Sequence, residues 1–155
     1  MRVRTLAVVV AVVAALASPA FAQNPVGVWK VNLAKSKYSP GPAPKSATIT
    51  TTAVAGGGFK TVNEQVPATG APIRFEVTYK FDGQDNTSTG SPNGDTQAYT
   101  RVDDRHWTVV SKRAGKVAVT SKIQVAADGK SRTTTQTGTD PQGRAINNVI
   151  FYEKQ

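Results

Sequence analysis

His106 is the only imidazole among 155 residues, and the chain has no cysteine. It lies in Asp103-Asp104-Arg105-His106-Trp107, where a neighbouring carboxylate would raise its pKa and make an acid–base pair. Asp-Asp is also a good turn. In extended chain successive side chains face opposite ways, so a Trp107 packed inward sends His106 to solvent. No Ser-His-Asp set, paired carboxylates or zinc-ligand spacing accompanies it, so no catalytic residue, metal ligand or cofactor is assigned. The absence of cysteine excludes a disulfide scaffold, a thiolate metal site and a cysteine nucleophile. An enzyme therefore ranks behind two binding readings.

Other motifs fail on spacing. Asp82-Gly83-Gln84-Asp85-Asn86 opens like a calcium loop, but its sixth position is Thr87 rather than Gly and its twelfth is Asn93 rather than Glu. Asn86-Thr87-Ser88 fits a glycosylation sequon, incidental in a bacterial export. Gly56-Gly57-Gly58 precedes a strand-like segment rather than a helix, so it reads as a hairpin turn and not as a phosphate cradle. The basic excess is more substantial. Net charge is +9, with Lys112, Arg113 and Lys116 around one hairpin and Lys30, Lys35, Lys37 and Lys45 near the first strand. Such a surface steers anionic lipid, polysaccharide or acidic ligands toward it, or simply keeps the protein soluble. Nucleic acid is set aside: the chain reads as exported and has no RNP-type aromatic motif.

Residues 1–22 read as a cleaved secretory signal. Arg2 and Arg4 form a positive start, Leu6 to Ala17 is an uncharged apolar run, and Ala20-Phe21-Ala22 supplies small residues at the cleavage positions. The run is short of the ~20 residues a spanning helix needs. The expected product is a single domain, 23–155, without a transmembrane segment, in the bacterial periplasm or outside the cell.

Turn signals punctuate this domain at nearly even intervals: Gly56-Gly57-Gly58, Thr69-Gly70, Asp82-Gly83, Asn93-Gly94, Ala114-Gly115, Asp128-Gly129 and Gln142-Gly143 are among them. The segments between are rich in Val, Ile, Thr, Tyr and Phe, which suit strands. In 73–81, Ile73, Phe75, Val77, Tyr79 and Phe81 alternate with Arg74, Glu76, Thr78 and Lys80; in 116–125, Val117, Val119, Ser121, Ile123 and Val125 alternate with more polar residues. Trp29, Val31 and Leu33 share one face of the first strand. No helical period spans ten residues. An open meander of this length would leave two bare edges and an uncovered apolar face, and closure removes both. The predicted fold is all-β, an antiparallel up-and-down β-barrel of about eight to ten strands, with a two-sheet sandwich as its competitor. Segment 34–45, carrying Pro40, Pro42 and Pro44, is irregular and reads as a surface connection or as a lid over one barrel end.

Val26-Gly27-Val28-Trp29-Lys30-Val31-Asn32 resembles the Gly-X-Trp opening of the calycin superfamily, the lipocalins and fatty-acid-binding proteins. The end of the chain, Asn148 to Gln155 with Tyr152-Glu153-Lys154, is similar to the closing strand of the fatty-acid-binding branch. Nearly all of 25–155 resembles small exported bacterial lipocalin-like proteins, through Trp29-Lys30-Val31-Asn32, the segment 34–45, Ala127-Asp128-Gly129-Lys130 and the closing Tyr-Glu-Lys-Gln. The resemblance implies a lipocalin-like barrel with Trp29 packed across one end. It implies a fatty-acid ligand less well: Tyr152 matches the terminal-strand Tyr, but Ile150 stands where that branch has an Arg, and a Pro-rich segment replaces the two-helix lid.

The expected ligand wall comprises Trp29, Phe75, Val77, Tyr79 and Phe81 from the first half of the chain, and Val117, Val119, Ile123, Ile150 and Tyr152 from the second. The Thr-rich segments 47–52 and 131–139 would make part of the interior polar, which suits a ligand with an apolar body and some hydrogen-bonding groups. The leading reading is a monomeric, non-catalytic carrier of a small apolar or amphipathic ligand. The alternative is a filled barrel whose basic exterior binds an anionic envelope component.

Overall fold

The computed structural model describes residues 25–155, so the expected signal, 1–22, lies outside the described residues. Ten strands follow one another: β1 (Gly27–Val31), β2 (Ser46–Val54), β3 (Gly58–Val66), β4 (Ile73–Tyr79), β5 (Asp82–Thr87), β6 (Thr96–Arg101), β7 (His106–Arg113), β8 (Lys116–Val125), β9 (Ser131–Thr139) and β10 (Ala145–Lys154). All ladders are antiparallel and nearly all join sequence neighbours; the exception pairs β1 with β10, which closes the meander. One seam remains, between β4 and β5, which share no ladder. The result is a nearly closed up-and-down barrel, as the alternation predicted. Among the described residues its one helical element is a short 3-10 turn, Leu33–Lys35. No helix there is long and apolar enough to cross a membrane.

Alternation explains the burial. On β7 Trp107, Val109 and Ser111 point inward, while on β10 Ile150 and Tyr152 do so. The apolar core gathers Trp29, Val77, Tyr99, Trp107, Val125 and Ile150 toward the barrel axis. Trp29 is fully buried and its indole donates to the Pro25 carbonyl at 3.0 Å, which ties the residues just before β1 to the barrel.

Three local expectations are corrected. Val117 is 62% exposed, because a bulge shifts the register between Ser111 and Lys112 and pairs Lys112 with Val117 but Ser111 with Val119. The extra residue turns Val117 outward and buries Ala118 beside Val119. Leu33 leaves the first strand's inner face for the exposed 3-10 turn. Asp82-Gly83 is not the turn between strands; the chain turns at 80–81, and Asp82 begins β5, whose pairing with β6 is itself bulged.

The Pro-rich segment forms a strap at the end opposite Trp29. Lys37 and Val149 exchange backbone hydrogen bonds of 2.7 and 2.9 Å, the Asn147 N–H donates to the Ser39 carbonyl at 2.8 Å, and the Ser39 N–H donates to Asn148 Oδ1 at 2.9 Å. Segment 34–45 is thus tied down beside β10 rather than a loose surface connection. These bonds hold it along β10, where Pro42 and Pro44 border the barrel mouth.

Candidate functional site

The barrel interior is not filled. A cavity of about 120 Å³ runs beside the core, and its walls combine aromatic rings with hydroxyl and amide groups. A second cavity of about 340 Å³ lies beneath the strap; Asn93, Gln136 and Tyr152 border both, so the two meet at these side chains. The mouth is mixed, with Pro42, Pro44, Ile146 and Ile150 beside Gln65, Asp140 and Asn148, and the deep part also combines apolar and polar groups.

Arg132 is the residue the sequence reading missed. It sits on β9 directly opposite Tyr152 on β10, and it is only 6% exposed. Its guanidinium carbon lies 4.9 Å from the Trp29 ring centre and 5.0 Å from that of Tyr152. These cation–π contacts offset part of the cost of burying a charge. No Asp or Glu lines the cavity, and Nε is buried with no hydrogen-bond partner among the described residues. Desolvation lowers the Arg132 pKa, opposed by Tyr152, Tyr79 and Tyr99, and an arginine remains charged at neutral pH. The interior therefore holds a positive charge with no anion to match it.

Around this charge stand neutral phenols. Burial raises the Tyr79, Tyr99 and Tyr152 pKa values, with Arg132 pulling each partly back. Tyr79 and Tyr99 stack with ring centres 3.5 Å apart, and the Tyr99 hydroxyl donates to Gln97 Oε1 at 2.7 Å. The Thr51 and Thr61 hydroxyls satisfy one another at 2.9 Å. Gln136 donates to Ser121 at 3.3 Å and accepts from Asn148 at 3.2 Å, which links the cavity wall to the strap anchor. The Thr-rich segments thus contribute polar groups to the interior.

Of the expected wall, Phe75, Tyr79, Ile123 and Tyr152 border the deep cavity, and Ile150 and Tyr152 border the mouth. Trp29, Val77 and Val119 are buried in packing and border neither, while Phe81 packs edge-on against Tyr79 and Trp107. Val117 is excluded by its outward position.

His106 does pair with Asp103, at 2.7 Å from Nδ1, but on the outer wall; Trp107 takes the inward position. Asp103 also accepts the Arg105 and His106 backbone N–H groups at 2.8 Å each. The Arg105 N–H foremost, and then His106, keep its carboxyl below its usual pKa. This is the hydrogen bonding of a turn. Asp82 and Asp85 likewise serve β5: Asp82 accepts the Gln84 N–H at 3.1 Å and Asp85 pairs with Lys112 at 2.7 Å. Among the described residues no three His, Asp or Glu side chains are placed to hold a metal ion. Within the basic clusters, Lys35 and Lys112 are bridged to Glu153 and Asp85.

No protein-family model matches this chain, and no curated protein matches it in sequence. Among solved structures it is similar to the crystal structure of the wild-type fluorescent protein UnaG, with a TM-score of 0.55 and 18% identity over 84% of this chain and 96% of that one. With the β1–β10 closure, the buried Trp29 and the nearly closed ten-strand meander, this likeness establishes the architecture: the chain folds as a calycin-like barrel.

Proposed function

We propose that this protein is exported and that its barrel binds a small amphipathic molecule through an acidic group, without catalysing a reaction on it. The observation that carries this reading is Arg132, a buried cation that borders the cavity and has no protein anion beside it. A carboxylate or other anion on a ligand would supply the missing charge and take charge-assisted hydrogen bonds from the guanidinium. The proline and isoleucine side chains of the mouth, Pro42, Pro44, Ile146 and Ile150, suit the apolar body of such a molecule. The likeness to UnaG supports the barrel architecture and says nothing of a ligand. Export rests on the charged start, apolar run and small-residue cleavage positions of 1–22.

Mass spectrometry of the protein purified gently from its host, under native and denaturing conditions, tests the reading. A stoichiometric organic acid released on denaturation is expected, along with an N-terminus at Gln23. A protein that carries nothing and takes up no organic acid in titration would remove the binding reading. An intact residue 1 would remove the cleaved signal.

A further inference from the structure

The chemistry around Arg132 narrows the class of acid, an inference that rests on the anionic-ligand reading above. A straight-chain carboxylate placed against the guanidinium would lay its first methylenes on polar walls. Ser111 and Thr134 bring hydroxyls to the cavity wall, and Gln97 and Gln136 bring amides. Methylene against such groups offers them no hydrogen bond in place of the water it displaces, which costs binding energy. The same cavity has aromatic lining from Phe75, Tyr79 and Trp107. A volume of about 120 Å³ has the scale of one ring; an apolar cavity of roughly 150 Å³ takes up benzene.

We propose that the deep cavity receives a hydroxylated aromatic acid: a single ring whose carboxylate meets Arg132, whose hydroxyls meet Ser111 and its polar neighbours, and whose face lies against the aromatic wall. An apolar substituent on that ring would leave through the mouth, past Ile150 and Pro44. The ring satisfies both kinds of wall at once, as an alkyl chain does not. Stacking against the tyrosines adds attraction independent of charge.

The test is calorimetric titration of the purified, exhaustively dialysed protein with two acids of similar size, 3,4-dihydroxybenzoate and octanoate. The same titrations are made on Ser111→Ala and Arg132→Met, each checked for wild-type circular dichroism. The expected result is a preference of about tenfold or more for the dihydroxybenzoate, the effect of one well-made buried hydrogen bond. Ser111→Ala should reduce that preference several-fold and leave octanoate binding unchanged. Equal or tighter binding of octanoate, lost in Arg132→Met, overturns the ring-acid inference and leaves the acidic-ligand reading standing. Binding of neither acid, or binding that Arg132→Met does not weaken, overturns the acidic-ligand reading and this inference with it.

Discussion

Arg132 and Tyr152 face each other across the β9–β10 ladder, with the guanidinium 5.0 Å from the phenol ring centre and no carboxylate lining the cavity they share. Replacing Arg132 by Met removes the charge and keeps most of the volume. Loss of a charge-assisted contact should weaken binding of an organic acid by about 2–3 kcal/mol, on the order of a hundredfold. Stability should move the other way or not at all. The cation–π contacts forfeited are worth up to ~2 kcal/mol, while a buried unpaired cation costs several kcal/mol of desolvation. Thermal melts of the unliganded variant should give a Tm equal to or above wild type; a clear fall would make Arg132 a strut for Trp29 first and a ligand contact second.

Gly138 carries a different constraint. It lies on β9 opposite Val119 of β8 and Ile146 of β10, at φ +146°, and a Cβ there would collide with the Ala118 carbonyl. Ala118 is buried because of the bulge opposite Ser111, so backbone crowding and bulge belong to one feature. Gly138→Ala should destabilise the barrel by roughly 2 kcal/mol or more, through left-handed backbone strain and steric displacement. Urea denaturation would show the loss as a lowered midpoint at unchanged slope. An unaffected midpoint would mean that the bulge relaxes to admit the methyl group.

The strands were legible where local chemistry decides them. Alternation in β4 and hairpins such as Ala114-Gly115 needed no tertiary knowledge. Val117 was misplaced because the bulge that expels it depends on how β7 meets β8, which leaves no mark in the alternation itself. Arg132 was overlooked because 131–139 is Thr-rich on both faces, so alternation alone does not say which of its residues point inward. Its signal lay in the hairpin. Asp140 accepts the Gln142 and Arg144 N–H groups at 2.9 Å each and pairs with Arg144 Nε at 2.7 Å. That turn sets Thr139 opposite Ala145 and carries the register down to Arg132 opposite Tyr152. Alternation then puts Arg132, Thr134 and Gln136 on the cavity side. A cavity beside a packed core depends on side-chain volumes in three dimensions, and composition does not encode it.

The buried phenols predict an alkaline limit. Tyr79, Tyr99 and Tyr152 hold their protons above the usual pKa of 10.0 because burial disfavours the phenolate. Tyr38, half-buried beside Tyr152, is raised for the same reason and by that neighbour. The unfolded chain releases these protons first, so below the ordinary tyrosine value the groups leave stability unchanged. Above it each still-protonated phenol lowers stability by ~1.4 kcal/mol per pH unit until its own folded pKa is reached. Stability should therefore be flat on approach to pH ~10 and fall steeply beyond it. Tyrosinate absorbance should rise cooperatively with the loss of tertiary circular dichroism. A smooth, non-cooperative titration at ordinary tyrosine pKa values would show the phenols to be open to water.

The strap borders the cavity mouth, and Asn148 is a side chain that fastens it. Its Oδ1 accepts the Ser39 N–H at 2.9 Å and its Nδ2 donates to Gln136 at 3.2 Å, so one residue ties the strap to the cavity wall. Asn148→Ala removes both bonds and leaves the Lys37–Val149 bridge and the Asn147–Ser39 bond in place. The loss should cost ~1 kcal/mol of strap closure and little of global stability, because the segment lies outside the core ladders. Stopped-flow measurement with a bound organic acid should show association and dissociation both accelerated about fivefold, with the equilibrium constant changed less than either rate. Amide exchange should rise at Ser39 and stay slow at Tyr152. Unchanged rates with faster exchange at Ser39 would show that molecules enter elsewhere, the β4–β5 seam being the one place where the wall lacks a ladder.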